Sequence, residues 1–68
     1  MDSSTNKKAL GDKFRIAREE QNLTQAQVAK KAGLGTNYYA VIERGEVKTS
    51  VKYLEQICKA LGIKLVLG

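Results

Sequence analysis

Residues that could carry out catalysis or bind a metal are scarce in this 68-residue chain. It has no histidine and a single cysteine, Cys58. The sequence therefore excludes a zinc site of ordinary spacing and a histidine-based acid–base mechanism. Gly33 and Gly35 are not followed by the Lys-Ser/Thr pair of a phosphate-binding loop. We expect no enzymatic activity and no metal or cofactor, and we interpret Cys58 as a small core residue.

The polar chemistry that remains is concentrated in the stretch GLGTNYYAVIERGE, residues 33–46. Its two adjacent tyrosines lie in a segment that reads as a short helix, on which neighbours point about 100° apart. Ile42 is the clearest core residue, and counting back three positions makes Tyr39 the inward tyrosine. Its hydroxyl then needs either a partner or a position at the edge of the core. The outer face of this helix carries Thr36, Asn37, Tyr38 and Val41.

The charge balance favours an anionic partner. Twelve Lys and Arg stand against seven Asp and Glu, a formal net charge of +5. Nucleic acid is the first candidate, although a protein with a mild excess of lysine on its surface has the same composition. The single cysteine and the absence of a signal peptide predict a reducing, cytoplasmic setting. No apolar run approaches the roughly 20 residues of a membrane helix.

Apolar periodicity predicts an all-α fold, a compact bundle of four helices, with a short β-strand at its C-terminal end. Residues 1–8 are polar and are predicted to form a mobile arm. The helices are expected at about residues 9–21, 25–32, 36–44 and 51–61. Thr24 and Gln27 have the spacing of a capping box, and Gly33 and Gly62 suit helix ends. The inward stripe of the fourth helix is predicted to contain Val51, Leu54, Ile57, Cys58 and Leu61.

The tail IKLVLG, residues 63–68, alternates in the manner of a strand. A lone strand leaves its backbone groups without partners. We favour pairing with the tail of a second copy, which would bury Ile63, Leu65 and Leu67 in a dimer interface. The alternative is that the tail folds over its own fourth helix.

Two short helices joined by a glycine-containing turn are the helix-turn-helix unit. The stretch LGDKFRIAREEQNLTQAQVAKKAGLGTNYYAVIERGE, together with SVKYLEQICKALG, resembles the Xre/Cro/phage-repressor family of DNA-binding domains. The resemblance covers residues 10–62, and LTQAQVAKKAG and IERG at their mutual separation are its most specific pieces. It implies a lambda-repressor-like fold and a transcriptional repressor that inserts helix 36–44 in the major groove of double-stranded DNA. The family usually works as a homodimer on a palindromic operator.

The resemblance also implies a role for individual residues. Base contacts fall on Thr36, Asn37, Tyr38 and Val41, and phosphate contacts fall on Gln25, Arg44, Lys48 and Thr49. Two alternatives stay open: Tyr38 can reach either a base or a phosphate, and Val41 can either meet a thymine methyl group or touch nothing. Asn37 can pair with adenine through two hydrogen bonds, and the Gln25 amide can also steady Thr36. Arg18 and Glu43 match a structural ion pair of the family. Gly35 departs from the Ser or Thr cap that the family usually has.

Other functions stay open at this point. A controller or activator with the same fold cannot be separated from a repressor. A protein-interaction module that kept the fold but lost DNA binding is an alternative of another class, and the outward Tyr38 and apolar Val41 leave room for it. The tail resembles that of HipB-type antitoxins, which would add a toxin protein as a partner, although the chain has no long toxin-binding extension.

Overall fold

Four α-helices make up the part of the chain that the computed structural model describes, the backbone of residues 3–64 and the side chains of residues 7–64. They are α1 (Ser3–Glu20), α2 (Gln25–Ala32), α3 (Thr36–Glu43) and α4 (Val51–Leu61). The all-α prediction and the number of helices agree with this architecture. No strand occurs within residues 3–64.

The predicted C-terminal strand is not present at its first two positions. Ile63 and Lys64 have no strand structure, and the Ile63 amide instead donates to the carbonyl of Cys58, 2.9 Å away, in the turn that ends α4. Ile63 packs against the core as a half-buried side chain. The Ile63 amide therefore bonds to the end of α4, and it is not available for pairing with a strand. Leu65 and Leu67 lie outside the described residues.

The first helix is longer than the sequence predicts. Residues 3–8, expected as an arm, are helical, so that prediction is wrong for them. The backbone of Lys8 lies against the end of α3, because a Cβ placed on Gly45 would come within 2.8 Å of the Lys8 Cα. Lys8 also pairs with Asp12 one turn later, at 3.9 Å. Tertiary contact therefore supports the helix at Lys8, where the polar sequence shows no apolar period.

α1 crosses the end of α3 at a glycine. Gly11 is buried, and a Cβ there would collide with the carbonyl oxygen of Glu43 and lie 2.8 Å from that of Ile42. Helix propensity alone predicts that a glycine at this place destabilises the helix. In the folded chain it lets the two backbones approach, and this approach fixes where α3 sits.

The turn between α2 and α3 is built from local signals. Thr24 and Gln27 form the predicted capping box, with the Thr24 hydroxyl accepting from the Gln27 amide at 3.1 Å and the Gln27 side chain accepting from the Thr24 amide at 2.8 Å. Gly33 ends α2 in a left-handed conformation, with φ of 76°. Gly35 then stands at the N-cap of α3 and supplies no side-chain hydrogen bond.

The core lies between all four helices. Its largest fully buried side chains are Tyr39, Phe14, Ile57 and Val28. Cys58 is also buried there, as interpreted from the sequence, and burial raises the pKa of its thiol. Val51 is half exposed, so the inward stripe of α4 begins at Leu54 and the sequence prediction for Val51 is wrong. None of the helices within residues 3–64 has both the length and the apolar character needed to cross a membrane.

Candidate nucleic-acid interface

α3 has a buried face and an exposed first turn. Tyr39, Ile42 and Glu43 are buried, and Tyr39 has no exposed surface at all. Thr36, Asn37 and Tyr38 are exposed and adjacent, whereas Val41 is only half exposed. The structure therefore brings three of the four predicted base-contacting residues together on one projecting turn. Tyr39 is the inward tyrosine, and Tyr38 the outward one.

The buried face of α3 is held by a charged network around Glu43. Arg18 donates twice to its carboxylate, from Nε to Oε2 at 2.8 Å and from Nη2 to Oε1 at 3.0 Å. A third guanidinium nitrogen, Nη1, donates to the carbonyl of Leu23 at 3.0 Å. This is the ion pair that the family resemblance implies, in the planar two-bond geometry that arginine provides.

Gln25 completes this network. Its amide nitrogen donates to Glu43 Oε1 at 3.0 Å, so it ties the start of α2 to the end of α3. In the described residues that amide bonds Glu43 and not Thr36, which differs from the steadying role considered from the sequence. Its assignment as a phosphate contact stays a prediction.

The network shifts the pKa values of its ionisable side chains. Burial alone would raise the pKa of Glu43, but the hydrogen bonds from Arg18 and its other neighbours outweigh burial, and the pKa is lowered. The same pair raises the pKa of Arg18. The Tyr39 hydroxyl is buried near this carboxylate, and it has no hydrogen-bond partner among the described residues. Burial and the neighbouring negative charge raise its pKa as well.

Tyr38 leans from α3 toward the loop that precedes α4. Its hydroxyl oxygen is 2.7 Å from the Thr49 hydroxyl, a hydrogen bond in which either group can be the donor. The Tyr38 and Tyr53 rings meet edge to face, with centroids 5.9 Å apart and planes at 78°. Tyr38 is therefore fixed on two sides although its surface is exposed.

Two of the predicted phosphate contacts, Arg44 and Lys48, are exposed and follow α3, and the other two, Gln25 and Thr49, are half-buried. Arg44 donates to the carboxylate of Glu46 from Nε at 2.9 Å and from Nη2 at 3.2 Å. That pair raises the pKa of Arg44 and lowers that of Glu46. Because both side chains are exposed, a phosphate can replace Glu46 at little cost.

A family model described as helix-turn-helix matches residues 14–67, which include α2, α3 and α4 complete. The chain belongs to the helix-turn-helix family. It is 41% identical over 56 residues to the immunity repressor protein of Bacillus phage phi105, across 82% of this chain and 39% of that protein. It thus spans well under half of the phage protein's length.

Two shorter relatives are covered over most of their length. An uncharacterized HTH-type transcriptional regulator of Sinorhizobium fredii is 33% identical over 60 residues, 88% of this chain and 78% of the relative. One of Methanocaldococcus jannaschii is 35% identical over 56 residues, 82% of this chain and 85% of the relative. The helix-turn-helix domain alone therefore accounts for most of these two relatives.

Within this helix-turn-helix domain, α2 and α3 are the two helices of the motif, and the structure adds two residues that sequence reasoning did not assign to the site. Gly11 sets the approach of α1 to α3, and Tyr53 packs on Tyr38. Neither has a local signal, because each acts on a residue of a different helix. Residues 3–64 contain no cluster of acidic and cysteine side chains that could hold a metal ion.

Proposed function

We propose that this helix-turn-helix domain is a sequence-specific, double-stranded DNA-binding transcriptional repressor that inserts α3 in the major groove. One observation carries the proposal: α3 buries Tyr39, Ile42 and Glu43, and it leaves Thr36, Asn37 and Tyr38 exposed on its first turn. The N-terminal residues of a recognition helix are those that contact base edges. Amide and hydroxyl side chains can form hydrogen bonds with base edges in the major groove.

Charge supports an approach to the DNA backbone. The formal net charge is +5, and Arg44 and Lys48 are exposed next to α3. The half-buried Arg18 also compensates the carboxylate of Glu43, which would otherwise repel phosphates. The name of the phage relative, an immunity repressor, favours repression over activation.

The proposal includes a homodimer on a palindromic operator. A helix of 8 residues contacts few base pairs, and two-fold symmetric proteins of this kind read half-sites about 34 Å apart. Ile63, Leu65 and Leu67 remain the proposed interface. A toxin partner stays a prediction that depends only on the tail's resemblance to antitoxins. The absence of enzymatic activity and a cytoplasmic location also belong to the proposal.

Selection of bound duplexes from a random pool tests the proposal directly. We expect one enriched motif with two inverted half-sites. A tenfold rise in salt concentration should lower the logarithm of the binding constant by about 0.9 for each phosphate that the protein neutralises. Absence of duplex binding at low salt would overturn the proposal and favour the protein-interaction module. A motif without two-fold symmetry would overturn the dimer but keep DNA binding.

Two single changes separate base recognition from backbone binding. Asn37→Ala should cost about 1–3 kcal/mol on the selected duplex and relax the preference at one base position. Lys48→Ala should weaken selected and scrambled duplexes by the same factor and reduce the salt slope by about 1. Binding measured on both duplexes at several salt concentrations gives these values. If the two variants behaved alike, the division between base and phosphate contacts would be wrong.

A further inference from the structure

We propose that Tyr38 and Thr49 together bind one DNA backbone phosphate, with Tyr53 as the positioning residue that holds the Tyr38 ring. Tyr38 then supplies affinity and not base recognition, in contrast to the base-contacting role that the family resemblance implies. This inference rests on the proposed DNA binding and names how one part of that surface works.

The Tyr38 hydroxyl is directed at the loop that follows α3. The hydroxyl is 2.7 Å from Thr49 Oγ1, in the loop between α3 and α4 that also carries the exposed Lys48. The hydroxyl is thus directed at the segment expected to follow the sugar–phosphate backbone. Asn37 and Thr36, by contrast, remain on the exposed first turn.

The hydroxyl pair has one proton to spare. Each hydroxyl carries one proton, and the hydrogen bond between them uses one of the two, whichever group donates. Within the described residues neither hydroxyl has another hydrogen-bond partner. The second proton is therefore available to an acceptor from outside the chain. An anionic phosphate oxygen is the strongest acceptor on the DNA surface, and a hydroxyl donor to it forms a short, charge-assisted bond.

A base edge fits this pair less well. A hydroxyl can both donate and accept, so it distinguishes poorly between base edges that present donors and those that present acceptors. The Tyr38 ring is also restrained by the edge-to-face contact with Tyr53, at 5.9 Å between centroids. Restraint toward the α4 side reduces its reach toward the groove floor and favours the backbone.

The test compares the wild-type chain with Tyr38→Phe on the selected duplex and on a scrambled duplex of equal length. We expect Tyr38→Phe to weaken both by the same factor, about tenfold, which is the usual scale for a hydrogen bond to a charged group. The salt slope should be unchanged, because no charge is removed. The sequences that the variant selects from a random pool should also be unchanged.

Thr49→Val supplies the coupling measurement. If the two hydroxyls act as one unit on a phosphate oxygen, Tyr38→Phe should cost less affinity in the Thr49→Val background than in the wild type, because each change then removes part of the same interaction. An equal tenfold loss in both backgrounds would mean that the hydroxyls act separately, which overturns the pair.

Tyr53 is tested by a matched pair of variants. Tyr53→Ala should weaken both duplexes alike, and Tyr53→Phe, which keeps the ring, should restore wild-type affinity. Failure of Tyr53→Phe to restore binding would make Tyr53 a direct DNA contact and overturn its positioning role.

Three outcomes overturn the assignment of Tyr38. A loss confined to the selected duplex, with relaxed preference at one base position, would make Tyr38 a base reader. No change on either duplex would make the hydroxyl pair purely structural. Absence of wild-type binding to any duplex would overturn the proposed function itself, and it is seen before any variant is measured.

Discussion

The two ends of α3 are held in opposite ways. At the C-terminal end, the buried Glu43 accepts hydrogen bonds from Arg18 and Gln25, and Gly11 lets the α1 backbone lie against the same turn. At the N-terminal end, Gly35 provides no side-chain cap and has open space around it. The buried network thus fixes the helix at the end remote from the proposed base contacts, and within residues 7–64 no side-chain hydrogen bond involves Thr36 or Asn37 on its first turn.

Arg18→Ala should have the largest effect. It leaves the Glu43 carboxylate buried with its charge uncompensated, and we expect a loss of about 3 kcal/mol in the free energy of unfolding. Urea titration measures it, in the presence of a stabilising osmolyte if the variant is partly unfolded.

Arg44→Ala is the matched control for this change. Arg44 also forms two hydrogen bonds to a glutamate, but both partners are 54% exposed, so the loss should stay within about 0.5 kcal/mol. Equal losses in the two variants would mean that burial does not distinguish the two ion pairs, and the anchoring role of the Glu43 network would be wrong.

Gly11→Ala tests the backbone approach that anchors the same end. The new methyl group would meet the carbonyl oxygens of Glu43 and Ile42, and we expect a net loss of about 1–3 kcal/mol from the displaced packing. Helix propensity alone predicts the opposite sign, a gain of about 1 kcal/mol. Gly35→Ala is the control, because nothing lies within 4 Å of its Cβ position. A stabilised Gly11→Ala variant would show that α1 and α3 do not meet there.

The local parts of this arrangement are predictable from the sequence. The capping box of Thr24 and Gln27 and the inward position of Tyr39 follow from spacings of three residues, which helical geometry converts into contacts. The bonds from Gln25 to Glu43 and from Tyr38 to Thr49 join different elements. Periodicity tells which face a residue occupies but not which distant residue it meets, so these contacts could not be derived from spacing.

The errors at the two ends of the chain have a related cause. Residues 3–8 show no apolar period, yet they are helical, and Lys8 in this segment lies against the turn that follows α3. The alternating tail predicts a strand only if a partner strand exists, and sequence alone does not supply one. At Lys8, packing against another part of the chain overrides the polar sequence pattern. At Ile63, the hydrogen bond to Cys58 that ends α4 overrides the alternating pattern that predicts a strand.

Acidification should remove the stabilisation that Glu43 provides at the C-terminal end of α3. The pKa of Glu43 in the folded chain is lower than its ordinary value of 4.5. Its contribution to stability is therefore complete above that value and is lost as pH falls through the lowered pKa. Unfolding free energies of the wild type and Glu43→Gln, measured by urea titration from pH 7 downward, should differ at neutral pH and converge in acid. A constant difference between the two proteins would exclude Glu43 as the source.

Gly35→Ser should have the smallest effect, and it makes the two ends of α3 more alike. The Gly35 backbone, at φ −71° and ψ 148°, already matches the N-caps Thr24, at −86° and 163°, and Ser50, at −73° and 158°. A serine there can accept a hydrogen bond from the first turn without strain or collision. Capping is worth a few tenths of a kcal/mol over glycine, and a less flexible unfolded chain adds a similar amount.

Together these gains should raise the midpoint of thermal unfolding by about 2–5 °C in a domain of this size. Gly35→Ala restricts the unfolded chain in the same way but has no hydroxyl, so the difference between the two variants isolates the cap. If serine gave no advantage over alanine, the missing cap would not limit the first turn of α3. The contrast between its two ends would then depend on the Glu43 network and the Gly11 contact alone.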